Sequence, residues 1–139
     1  MEKLENARVI IDTDILVDFL RGNQEAISLV NRLEKDRFLL ATTAINAFEL
    51  YYGAHKSKEP ERGIKSTRQL LVKLVLLPLT AKSARRAGHI YADLEKQGQP
   101  IGLRDTLIGA IAQTRDFSLA TKNLNHFQKI SELKLIHIS

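Results

Sequence analysis

Near the start of this chain an unbroken apolar run, Val9-Ile10-Ile11, ends directly on a carboxylate, Asp12. β-branched residues with no polar alternation read as a strand covered on both faces, the pattern of a parallel sheet rather than an antiparallel one. Parallel strands cannot be joined by hairpins, so a chain that opens this way needs helical crossovers and a layered α/β architecture. The strand is expected over Arg8–Asp12, with the acid at its carboxyl edge.

The rest of the chain keeps the same alternation. Ile15, Leu16, Phe19 and Leu20 have helical spacing up to Gly22, and Asn23 caps a second helix with Ala26, Ile27, Val30 and Leu33 inward. Phe38–Ala41 reads as a strand, Thr42 and Thr43 as caps, and a helix follows with Ile45, Phe48, Glu49 and Tyr52 on adjacent turns. The segment from His55 to Lys73 is basic and helical after Pro60, and Val75–Leu79 reads as a strand. Thr80 caps a long helix ended by Gly98 and Pro100, and Leu103–Arg115 is another helix. Short strands close the chain at Ser118–Ala120 and Leu135–Ile138, with a helical turn between them. The expectation is a three-layer α/β/α sandwich with a central parallel sheet of four to five strands. No Gly-, Pro- or Ser-rich linker interrupts it, so a single domain over residues 1–139 is the simplest count.

Bulk properties narrow the function. The charge of +5 and a pI near 9.6 favour a polyanionic partner without establishing one. There is no cysteine, hence neither disulfides nor a thiolate metal site, which agrees with a reducing cytoplasm. The longest apolar stretch, Leu70 to Leu79, is broken by Lys73 and Pro78 and falls short of the ~20 residues of a spanning helix. No export signal or membrane span is expected, and the protein reads as soluble.

Three acids are out of place by ordinary patterning. Asp12 abuts apolar strand residues, which is costly without a partner. Glu49 lies in the nearly uncharged segment Ala44–Gly53, and Asp105 lies near a helix start on the same side as Ile108 and Ala112. Each has a plainer reading: Glu49 as a solvent-facing residue, Asp105 as an N-cap, and the neighbouring Asp14 as an acid favoured by the helix dipole. In a parallel sheet, however, ligands bind beyond the carboxyl ends of the strands. Carboxylates gathered there repel one another unless a cation joins them, and oxygen-only surroundings suit Mg²⁺ or Mn²⁺. The four histidines, His55, His89, His126 and His137, lack zinc-site spacing and read as surface or core residues. Small residues Gly109, Ala110 and Ala112 would let the last long helix sit close to the sheet.

Four stretches then resemble one family in order. Val9-Ile10-Ile11-Asp12-Thr13-Asp14-Ile15-Leu16, Thr43–Ala54 with its Glu49-Leu50-Tyr51-Tyr52-Gly53, Leu103-Arg104-Asp105-Thr106-Leu107-Ile108-Gly109-Ala110 and Ala120–Phe127 are similar to the motifs of PIN-domain ribonucleases. Within them the chain resembles the VapC-like toxins of toxin–antitoxin pairs. The resemblance implies a Mg²⁺- or Mn²⁺-dependent endoribonuclease with Asp12, Glu49 and Asp105 as metal ligands and Asn123 in the fourth catalytic position. Thr13, Asp14 and Thr121 would orient ligands or water. Many relatives carry an acid where this chain has Asn123, and an aspartate where it has His126. Asparagine adds no charge, so one firmly held metal is implied, and a second only if Asp14 contributes. The resemblance also implies an RNA substrate, a cognate antitoxin, a homodimer and a cytoplasmic setting.

Lys56, Lys58, Arg62, Lys65, Arg68 and Lys73, with Arg85 and Arg86, are candidates to hold an RNA backbone, or else form a solvated basic face. Tyr51, Tyr52 and the Leu70–Leu79 region are candidates for a dimer or antitoxin surface. Asp12-Thr13-Asp14 also resembles the start of haloacid-dehalogenase phosphatases, but Leu16 stands at their fifth position and no late paired acids follow. A response-regulator receiver would need a phosphoacceptor aspartate where the chain has Pro78-Leu79-Thr80. A PIN-like module that binds RNA or protein with weak or absent catalysis stays open.

Overall fold

The computed structural model describes residues 7–136. Five strands, β1 (Arg8–Ile11), β2 (Leu39–Thr43), β3 (Val75–Leu77), β4 (Ser118–Ala120) and β5 (Leu135–Ile136), form one sheet. Seven helices connect them: α1 (Thr13–Leu20), α2 (Gln24–Lys35), α3 (Ala44–Lys56), α4 (Pro60–Leu71), α5 (Ala81–Lys96), α6 (Leu103–Arg115) and α7 (Leu124–Phe127). All strand pairs are parallel and the order is β3-β2-β1-β4-β5. The expected three-layer sandwich with a parallel sheet is what the chain forms.

Residue alternation along β1 explains the two faces. Ile10 points into a core with Ile90, Leu94, Ile108, Ile111 and Phe127, from α5, α6 and α7. Val9 and Ile11 point into the opposite core with Leu16, Leu29, Leu33, Leu50 and Leu70, from α1 to α4. All three β1 side chains are fully buried, each contributing about 1.5–3 kcal/mol of apolar burial. The chain walks outward from β1 through β2 to β3, then returns to the other side of β1 for β4 and β5. The strand order therefore reverses between β1 and β4, and the carboxyl ends there, with Ile11 beside Ala120, flank the switch point.

Several local expectations shift. β2 runs through Thr42 and Thr43 rather than ending at Ala41: Thr42 is a strand residue whose hydroxyl donates to Ile11 O at 2.9 Å, and only Thr43 caps. Leu29, not Ile27, completes the buried face of α2. In α3 the buried residues are Asn46, Ala47, Leu50 and Ala54, while Phe48 is 66% exposed and stacks on exposed Tyr52 with centroids 6.1 Å apart. β3 ends at Leu77, and as an edge strand it buries only that residue, so the expectation of fully covered strands fails there. The final strand is seen at Leu135–Ile136; His137 and Ile138 lie outside the described residues. Among the described residues no helix is long and apolar enough to cross a membrane.

Candidate active site: a carboxylate cluster closed by an arginine

The end of β1 and the start of α1 share one residue. Asp12 caps α1, its Oδ1 accepting from Thr13 N at 2.7 Å, while its backbone N–H still pairs with Ala120 O at 2.9 Å. The side chain is 1% exposed and would be untenable alone, but it is ringed by donors. Oδ1 also accepts from Asn46 Nδ2 at 3.0 Å and Arg104 Nη2 at 2.7 Å, and Oδ2 accepts from the Thr121 hydroxyl at 2.6 Å. The predicted pairing partner for this acid is thus a set of four residues from three helices and the loop after β4.

Glu49 reaches the same place from the middle of α3. Its Oε1 accepts from the Thr13 hydroxyl at 2.6 Å and Arg104 Nη2 at 2.8 Å, and its Oε2 from Arg104 Nε at 2.6 Å. Asp105 arrives from the start of α6, which is aimed by Gly102: a φ of +90° suits glycine, and it makes Gly102 the N-cap. Asp105 is therefore the third helical residue and not a cap, and it is buried together with Ile108 and Ala112. Its Oδ1 accepts from Arg104 Nη1, and its Oδ2 from Asn123 Nδ2 at 3.0 Å. His126 Nδ1 lies 2.8 Å from the same Oδ2, so this histidine belongs to the cluster rather than to a bare surface. The close approach at Gly109 is to the segment after α7 rather than to the sheet: a Cβ there would meet Ile130 Cδ1 at 2.5 Å.

Asp14 stands at the edge. Its Oδ1 accepts from Ile15 N at 2.7 Å, the helix-start role, and its Oδ2 from Lys122 N at 3.0 Å in the loop after β4. Burial, and then the charge of Asp12, push its carboxyl above the usual range despite those amides. Glu49 goes the other way: burial opposes its ionisation, but the Arg104 guanidinium and the Thr13 hydroxyl outweigh that and hold it below the usual range. Arg104 is held more firmly protonated than usual, burial being overcome by Glu49, Asp12 and Asp105.

Two residues of this cluster, Arg104 and Asn46, carry no role in the sequence reading. Arg104 pairs with all three acids at once. A cation at the second position of α6 faces the positive end of the helix dipole, and that mismatch beside Asp105 was the available signal. Asn46 is fully buried one turn before Glu49. Thr43 N, which can only donate, bonds Asn46 Oδ1 at 3.1 Å, so the amide orientation is fixed and Nδ2 must face Asp12 and Thr13.

The basic candidates divide. Lys58 and Arg62 line a cleft of about 450 Å³ between α1, α3 and α4, floored by Leu50 and Ala54, with Glu49 in its wall. Lys56 lies over the Tyr52 ring at 5.0 Å. Lys65 and Arg68 are exposed on α4, Lys73 is exposed after it, and Arg85 is exposed on α5. Arg86 donates to Gln113 at 3.0 Å near the far end of α6 and is not brought to the cluster.

Known proteins resemble this chain in sequence and fold. The PIN domain family model matches residues 9–133. Ribonuclease VapC2 of Haemophilus influenzae is 32% identical over 127 residues, covering 91% of this chain and 95% of the relative. The tRNA(fMet)-specific endonuclease VapC of Shigella flexneri is 29% identical over 127 residues, covering 91% and 95%. Among solved structures, VapBC2 from Rickettsia felis bound to a promoter DNA fragment superposes with a TM-score of 0.85 at 28% identity, covering 93% of this chain and 97% of that one. VapBC from Salmonella typhimurium bound to DNA gives 0.82 at 28%, covering 94% and 97%. From Val9 to Leu133, then, the chain belongs to the PIN-domain family and, within it, to the VapC-like proteins.

Proposed function

We propose that this chain is a divalent-cation-dependent endoribonuclease, the toxin of a toxin–antitoxin pair, in which Asp12, Glu49 and Asp105 hold the metal and Asn123 completes the site. One observation carries the reading. Four carboxylates, Asp12, Asp14, Glu49 and Asp105, meet at the switch point of the sheet with one guanidinium among them, leaving a formal −4 + 1 = −3 in the hydrogen-bonded cluster. That surplus, carried by hard carboxylate oxygens, fits Mg²⁺ or Mn²⁺. Asn123 donates to Asp105 and adds no charge, so Asp14 is the remaining acid for a second ion.

When bound, the cation supplies a water acidified toward neutral pH and positive charge against the phosphoryl oxygens. Among the described residues, the hydroxyls that reach the three acids are those of Thr13 and Thr121. The Thr13 hydroxyl is committed to Glu49 and the Thr121 hydroxyl to Asp12, so both orient carboxylates rather than attack phosphorus. Lys58 and Arg62 neutralise the RNA backbone along the cleft that leads to Glu49.

Partners follow the family. A Klebsiella pneumoniae structure that covers 96% of this chain at 26% identity is a toxin–antitoxin complex, and on that likeness this chain is assigned a cognate antitoxin. A homodimeric, cytoplasmic state is assigned with it, as part of the same proposal. Apolar surface for those contacts exists at Phe48 and Tyr52 and at the β3 edge, where Val72 is 77% exposed beside Val75 and Leu76. The test is incubation of the protein with structured RNA and Mg²⁺ or Mn²⁺ beside Asp12→Asn and Asp105→Asn variants. Cleavage that needs the metal and drops at least about a hundredfold in both variants is expected, the scale of losing a group that acts on transition-state charge. Cleavage unchanged in both variants refutes the site; no cleavage of any RNA with either metal favours a PIN-like binding module.

A further inference from the structure

As folded, no oxygen of the three acids is idle. Arg104 engages Asp12 Oδ1, both oxygens of Glu49 and Asp105 Oδ1. The remaining two, Asp12 Oδ2 and Asp105 Oδ2, are taken by Thr121 and by Asn123 with His126. Among the described residues no group of three or more His, Asp or Glu side chains is preassembled to hold an ion. The guanidinium stands in the middle of the acids that would otherwise face one another.

We infer that Arg104 is an exchangeable counter-cation, competing with the divalent metal for Asp12, Glu49 and Asp105 so that the cluster is either closed by the arginine or loaded. This rests on the reading of the cluster as a metal centre. Of the side chains bonded to Asp12 and Glu49, Arg104 is the one able to leave. Thr13, Asn46 and Thr121 are short, and Asn46 and Thr121 are fully buried. Arg104 has a long unbranched stem and is 34% exposed, with a route to solvent. Its place in the second position of α6 is unfavourable to a cation, so the acids alone hold it there. Once a doubly charged ion satisfies those acids, the helix end pushes the guanidinium outward. The arginine thus lets the empty site fold without naked carboxylate repulsion, and it lowers metal affinity by the population it holds closed.

The experiment titrates Mn²⁺ into the intact wild-type protein, Arg104→Gln and Arg104→Lys by calorimetry, with thermal unfolding recorded with and without Mn²⁺. Arg104→Gln is expected to bind Mn²⁺ at least about tenfold more tightly, the loss of a competitor that holds about nine-tenths of the sites closed. Its melting temperature should fall without metal, and its rise on adding Mn²⁺ should exceed that of the wild type. Arg104→Lys keeps the charge but not the forked contact, and should gain affinity by a smaller factor. Equal or weaker Mn²⁺ binding in folded Arg104→Gln overturns the exchange while leaving the metal centre intact. Binding to none of the three proteins overturns both. Should Arg104→Gln not fold, Arg104→Lys decides: no gain in affinity there overturns the inference.

Discussion

Replacing Asn46 by alanine tests whether the cluster is held by its buried amide. The side chain spans three neighbours: Nδ2 donates to Asp12 Oδ1 at 3.0 Å and Thr13 Oγ1 at 2.9 Å, and Oδ1 accepts from Thr43 N at 3.1 Å. A bond to a charged group contributes about 1.5–3 kcal/mol and a neutral one about 1, while orphaning the buried Thr43 N–H costs a further 1–3. A water entering the vacated space recovers part of this, leaving about 3–4 kcal/mol. At about 3 °C per kcal/mol for a chain of this size, the metal-free melting temperature should drop by about 10 °C. The assay is urea and thermal unfolding in EDTA, so that no ion compensates. Asn46→Asp sharpens it, because the shape and the Thr43 contacts persist while an oxygen replaces the donor facing Asp12. The introduced carboxyl should hold its proton in the fold more tightly than in the unfolded chain, so that variant should lose stability as pH rises above the usual carboxylate range. A destabilisation of Asn46→Ala under about 1 kcal/mol, or a pH-flat Asn46→Asp, refutes the reasoning.

Other outcomes follow from the same geometry. Asp14 is protonated more readily in the fold than when unfolded, so it binds the extra proton only in the folded state and its contribution to stability declines as pH rises through its folded value. Metal-free Asp14→Asn should therefore gain stability at neutral pH and none at pH well below the usual carboxylate range, as read from denaturant midpoints. Lys58→Ala with Arg62→Ala should weaken RNA binding and flatten its log–log salt slope by about 2, near one per lost phosphate contact, in filter binding. Arg86→Ala, turned toward Gln113, should leave that slope unchanged. Phe127→Ala empties a fully buried position in the core of the α5–α6 face and should cost about 3–5 kcal/mol in equilibrium unfolding.

What the sequence reveals and conceals has physical causes. Asp12 is legible because a carboxylate against three fully buried apolar residues demands a partner, and Asp105 because its helical phase matches Ile108 and Ala112. The parallel sheet is legible from apolar runs alternating with helical periods. Sheet order is not, so Val75-Leu76-Leu77 reads as covered although it is the open edge. Helical spacing puts Ile45, Phe48, Glu49 and Tyr52 on adjacent turns without saying which turn-face is buried; Asn46, Leu50 and Ala54 take that face and the aromatics stack outside. Arg104 is hidden for a different reason. One-dimensional patterning treats a basic residue as solvated, and only the fold brings Asp12 from β1 and Glu49 from α3 within reach of its guanidinium. Asn46 is masked by its local duty, since it also completes the capping box with Thr43.

The proposed ion sits in the space among Asp12, Glu49 and Asp105. Crystals of the protein grown with Mn²⁺ and measured for anomalous scattering locate the ion directly. An anomalous peak within coordination reach of those three side chains, about 2.0–2.3 Å from their oxygens, is the predicted result. A fully ordered cluster still closed by Arg104 at saturating Mn²⁺, with no peak there, contradicts it.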